Sequence, residues 1–98
     1  MVDEETIVKD AVETWGEFWQ FNHVNQECGE LIVAVTKYLL DPTYKTALNV
    51  ISEVIDVEHM CKQVRYILRD YGEDFIKEDI KKWQTVIDKL LDSKPVKC

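Results

Sequence analysis

At 98 residues, with 46% hydrophobic and 32% charged side chains, the chain is long enough for one small globular domain and too apolar for disorder. Its net charge of −7, from 19 acidic and 12 basic residues, and the lack of a basic stripe argue against a nucleic-acid binder. A core this small is expected to be completed by association with a second copy.

Hydrophobic spacing predicts four helices and no strand, an all-α fold spanning residues 1–98 as one domain with its core over 15–91. The first helix covers Asp3 to Trp15, with Ile7, Ala11, Val12 and Trp15 on one face, and Gly16 stops or kinks it. The second runs from about Glu17 to Leu39 and carries a stripe from Phe18, Phe21 and Val24 through Cys28, Leu31 and Ile32 to Val35, Tyr38 and Leu39. Asp41-Pro42 reads as an N-cap followed by proline at the first helical position, opening a third helix that continues to Tyr71. Gly72 reads as its left-handed C-cap. Apolar residues on several sides of the third helix imply a subunit interface. A fourth amphipathic helix covers about Glu73 to Leu91, and Lys94 to Cys98 forms a frayed tail.

Cys28, Cys61 and Cys98 are odd in number and scattered, so no disulfide framework or zinc pattern is read from them, and Cys28 reads as core. The acidic start lacks the features of a signal peptide, and no apolar run is long enough to cross a bilayer. A cytoplasmic protein that contacts neither membrane nor nucleic acid is the expectation.

Two acidic pairs interrupt the apolar helices: Glu27-x-x-Glu30 and Glu53-x-x-Asp56. At i, i+3 spacing both carboxylates of a pair project from one side of a helix. An unpaired charge beside an apolar stripe loses hydration, and four converging carboxylates repel unless a cation sits among them. Hard oxygen donors suit Mg²⁺, Mn²⁺ or Ca²⁺. At about 100° per residue, Gln20, Glu27 and Ala34 share one flank of the second helix, with His23 and Glu30 just beyond. Asn49, Glu53, Asp56 and Met60 share a strip on the third. A connection of about two to four residues favours an antiparallel hairpin of these two helices, which lets the strips face each other.

A chain this acidic also shows such pairs by chance. Glu4, Glu5, Glu73, Asp74, Glu78 and Asp79 read as solvated helix faces. Glu53 and Asp56 stand apart because Val50-Ile51, Val54-Ile55 and Val57 surround them.

The acidic pairs resemble the E-x-x-E … E-x-x-D signature of the MazG-type all-α nucleoside triphosphate pyrophosphohydrolases. Trp15-Gly16, Gln20 and Glu27-Cys28-Gly29-Glu30-Leu31-Ile32 resemble the "WG…Q…EECAELI" stretch of small bacterial and phage members. Asn49 to Glu58 resembles "NVIEEIADVE", continued by Met60 and Gln63, so the likeness covers roughly Trp15 to Leu68. It implies a MazG-like four-helix domain completed into a larger bundle as a homodimer or homotetramer. It implies Mg²⁺, with Mn²⁺ as a substitute, held by Glu27, Glu30, Glu53 and Asp56, and cleavage of a nucleoside triphosphate between the α and β phosphates.

Glu27 or Glu30 is the candidate to orient the attacking water. Gln20 and Asn49 are candidates for contacts to base, sugar or phosphate, Lys81 and Lys82 for the departing pyrophosphate, and Trp19, off the main stripe, for base stacking. Trp15 and Trp83 read as core or interface, and Arg65 and Arg69 as a solvated pair. His23 reads as solvated near the acid flank, His59 as a surface or interface residue. The chain departs from the family at Gln26 and Ser52, where a second glutamate is common, and at Thr85, where a basic residue is common. The alternative function is a catalytically weakened helical module that binds nucleotide or a protein partner. Retention of all four acids favours the enzyme. A purely structural coiled-coil dimer fits less well, because a polar strip lies inside the apolar face.

Overall fold

A computed structural model describes residues 3–93. The elements are α1 (Glu4–Trp15), α2 (Glu17–Leu40), α3 (Tyr44–Ile67), a single 3₁₀ turn (Arg69–Tyr71) and α4 (Gly72–Ser93). Among the described residues the structure is all-α, without strands. The chain divides after Ile67 into two units, one holding α1 to α3 and the other the 3₁₀ turn and α4.

Asp3 caps α1: its carboxylate accepts the Thr6 amide at 2.8 Å, which holds the Asp3 carboxyl below its usual range. Glu4 and Glu5 in the first turn suit the positive end of the helix dipole. Gly16 ends the helix at φ 87°, ψ 157°, a region that an L side chain scarcely enters. Its amide donates to the Val12 carbonyl at 2.8 Å while its own carbonyl accepts from the Gln20 amide at 3.1 Å. One residue thus closes α1 and opens α2, as its place in the sequence suggests.

The next junction differs from the expected Asp41-Pro42 start. Asp41 closes α2 instead, donating to the Lys37 carbonyl at 2.9 Å. The proline that follows keeps it out of helical geometry, at φ −147°, ψ 80°. The cap of α3 is a threonine pair: Thr43 Oγ1 accepts the Thr46 amide at 3.2 Å, and the Thr43 amide donates to Thr46 Oγ1 at 3.0 Å. This reciprocal pairing satisfies two donors at once, as a capping box does.

The far end of α3 differs too. The helix stops at Ile67, Leu68 leaves it at φ −98°, ψ 24°, and the Tyr71 amide donates to the Leu68 carbonyl at 2.9 Å to close the 3₁₀ turn. Gly72 is not a left-handed cap. At φ −54°, ψ −39° it is the first residue of α4. No glycine or proline marks the break at Leu68, which is why periodicity alone ran the helix on. The expected tail, Lys94 to Cys98, lies outside the described residues.

Helices α1, α2 and α3 pack against one another, with the most extensive contact between α2 and α3. Among the buried and half-buried positions of α2, Gln20, Val24, Glu27, Leu31 and Ala34 are spaced alternately four and three apart, with His23 beside them. In α3 Val50, Glu53, Val57, Met60, Val64 and Ile67 follow the same alternation, with Gln63 and Tyr66 beside them. This is the spacing of a helix seam. It combines the flank of Gln20, Glu27 and Ala34 with one edge of the apolar stripe, Val24 and Leu31, and leaves the rest of that stripe outside. Phe18, Ile32 and Leu39 of that stripe are 84, 67 and 74% exposed, and Cys28 is exposed rather than core. The buried apolar residues among those described are Val12, Ala34 and Met60.

Across α1 and α3, Glu4 pairs with Lys62, which lowers the Glu4 carboxyl, and Tyr66 donates to Glu13 at 3.4 Å. In the second unit, α4 has no buried residue. Ile76, Ile80, Trp83, Ile87 and Leu91 are exposed on its apolar side.

Candidate metal centre

Glu27 and Glu30 come from adjacent turns of α2, and Glu53 from the seam of α3. One carboxylate oxygen from each lies within 4.8 Å of the other two. The three differ in environment. Glu27 is 9% exposed, Glu53 is half-buried, and Glu30 faces solvent. Asp56, one turn beyond Glu53, is exposed and stands outside the trio, yet its charge still acts on Glu53.

Desolvation pushes the Glu53 carboxyl above its usual range, with further contributions from the charges of Glu30, Asp56 and Glu27 and from a hydrogen bond with Glu30. Two oxygens of the cluster, Oε2 of Glu27 and Oε2 of Glu53, are buried without a hydrogen-bond partner. A buried carboxylate oxygen that accepts nothing is costly. A hard divalent cation is the ligand that such oxygens suit. Opposite ligands of Mg²⁺ are about 4.2 Å apart and those of Ca²⁺ about 4.8 Å. Three carboxylate oxygens this close together could hold one such ion.

Beside the cluster, a groove of about 250 Å³ is lined by Glu30, Val33, Ala34, Lys37, Asn49 and Glu53. Asn49, expected at the substrate, is there. Lys37 is a cation that the sequence reading did not select. It lies seven residues from Glu30, two turns along the same side of α2, a spacing that would have found it. A larger hollow of about 700 Å³ on α1 and α3 includes none of the three clustered glutamates, and in it Glu4 and Lys62 already neutralise each other.

Gln20 lies on the expected flank with Glu27 and Ala34. It is fully buried, and its amide donates to the Ala11 carbonyl of α1 at 3.2 Å, so it ties two helices together within the unit. Trp19 is 46% exposed and packs between two rings, Trp15 at 5.5 Å and His23 at 4.7 Å. His23 is half-buried rather than solvated, with Nε2 2.9 Å from Oε1 of Glu27. Lys81 and Lys82 are exposed on α4, in the second unit.

The chain matches no protein family model, no curated protein and no solved structure. Among the described residues, no helix is long and apolar enough to cross a membrane.

Proposed function

We propose that the protein is a Mg²⁺-dependent nucleoside triphosphate pyrophosphohydrolase that converts a (d)NTP to (d)NMP and pyrophosphate. The observation that supports this reading is the meeting of Glu27, Glu30 and Glu53 from two helices, with buried oxygens that the protein itself leaves unbonded. The motif resemblance to MazG-type enzymes supplies the reaction. In this reading α2 and α3 form the antiparallel hairpin of a MazG-like domain, and Asp56 completes the ligand set.

A bound Mg²⁺, or Mn²⁺ in its place, would offset the charge of the polyphosphate and polarise the reacting phosphorus. The protein's residues do the rest. In this reading Glu27 and Glu53, the less exposed pair, would hold the ion. Glu30, facing solvent at the groove, would align a water with the α phosphorus and take its proton. The new P–O bond forms as the bond from the α phosphorus to the α–β bridging oxygen breaks, and the departing pyrophosphate carries the electron pair away. Lys37 at the groove is the cation available for that pyrophosphate. Asn49 can donate to sugar or phosphate, and the exposed part of Trp19 can contact a base.

The exposed stripe of Phe18, Ile32 and Leu39 supports self-association, as a homodimer or homotetramer. The test is pyrophosphate release from a panel of (d)NTPs with Mg²⁺. Release that is lost in Glu30→Gln and Glu53→Gln, with helicity retained, supports the reading. Absence of release from every nucleotide, or unchanged release in both variants, refutes it.

A further inference from the structure

We propose that His23 is a positioning residue of the metal centre, fixing the carboxylate of Glu27 through its Nε2–H. The proposal rests on the metal-centre reading above and assigns His23 no contact with substrate.

An ionised carboxylate only accepts hydrogen bonds, so the hydrogen in the 2.9 Å contact sits on Nε2 of the imidazole. An i, i+4 histidine–glutamate pair on an open helix surface is a weak contact. This one is different because Glu27 is 9% exposed and little water competes for its oxygens. The terminal torsion of a glutamate is broad, so the carboxylate plane has no intrinsic preferred setting. The structure gives Glu27 one protein partner at Oε1 and none at the buried Oε2. With Oε1 held by His23, Oε2 is the oxygen left for a cation.

The imidazole is itself held. Trp19 packs on it with ring centres 4.7 Å apart, and Trp15 packs on Trp19 at 5.5 Å. These side chains stand at four-residue steps, Trp15, Trp19, His23 and Glu27, across the Gly16 junction. The ladder runs from the end of α1 to the most buried carboxylate of the cluster. An orienting hydrogen bond of this type changes metal affinity by about 10- to 100-fold when it is removed.

The experiment measures Mn²⁺ affinity by electron paramagnetic resonance for the full chain, without nucleotide. His23→Phe keeps a ring for Trp19 to pack on and removes the donor. His23→Gln places an amide N–H close to where Nε2 stood. The expected result is wild-type binding, at least a tenfold loss in His23→Phe, and recovery to near the wild-type value in His23→Gln. Should the phenylalanine variant fail to fold, His23→Leu takes its place beside the glutamine variant. If wild type binds Mn²⁺ and the donorless variant binds equally well, the role of His23 is overturned while the metal centre stands. Equal loss in the donorless variant and in His23→Gln, with unaltered melting, also overturns it. Failure of wild type to bind Mn²⁺ at all overturns the centre itself.

Discussion

Replacing Gly16 by alanine should destabilise the protein through the backbone alone. A Cβ built at Gly16 meets nothing within 4 Å, so no packing clash enters the estimate. The cost comes from φ 87°, ψ 157°, a region essentially confined to glycine, where another residue costs about 1–3 kcal/mol. For a domain of this size each kcal/mol lowers the melting temperature by about 4–8 °C, so the expected drop is roughly 4–24 °C. Relaxing the strain would rotate the end of α1 against the start of α2 and disturb the Trp15–Trp19 contact at 5.5 Å.

Gly72→Ala is the matched control. Gly72 has ordinary helical geometry and equally open space around it, so alanine there should stabilise by about 0.4–1 kcal/mol through the unfolded chain. Circular dichroism at 222 nm through thermal and urea unfolding gives both values. Had Gly72 been a left-handed cap, its replacement would cost stability as Gly16→Ala does. A neutral Gly16→Ala, or a destabilised Gly72→Ala, would refute the backbone account of the two junctions.

Three other outcomes are expected. Because the folded-state carboxyl of Glu53 is raised above 4.5, the native state binds that proton more tightly than the unfolded chain. Its penalty is absent below about pH 4.5, grows as pH rises through the folded value and is complete above it. Glu53→Gln should therefore melt higher than wild type at pH 7 without metal, with the difference vanishing towards pH 4. Titration with Mg²⁺ should raise the wild-type stability by about 2.7 kcal/mol at 100 times the dissociation constant. It should do little for Glu53→Gln, and calorimetric melts with and without the ion compare the two. Met60→Ala, at a position 4% exposed in the α3 seam, should cost about 2–5 kcal/mol by urea unfolding.

Much of the architecture is written locally. Asp3 and the acids after it start α1, Gly16 separates α1 from α2, and apolar spacing carries α2 and α3 for 24 residues each. The two acidic pairs are legible for the same reason, since i, i+3 spacing on a helix fixes a shared side before any packing occurs. Local signals misled where two of them competed. Thr43 and Thr46 took the cap that Asp41-Pro42 advertised, and the chain left α3 at Leu68 without a breaker residue.

Packing alone decided which face of α2 turns inward. A helical wheel orders residues around the axis, but only the neighbouring helices select the sector that loses water, and they selected Gln20, Glu27 and Ala34. That choice buried a carboxylate, placed Glu53 of α3 opposite it, and left Asp56 at the margin. It also turned His23 from a surface side chain into a partner of Glu27. Residue order alone sets the acids in pairs on helices. Tertiary structure determined which of them meet, because burial is a property of neighbours and not of spacing.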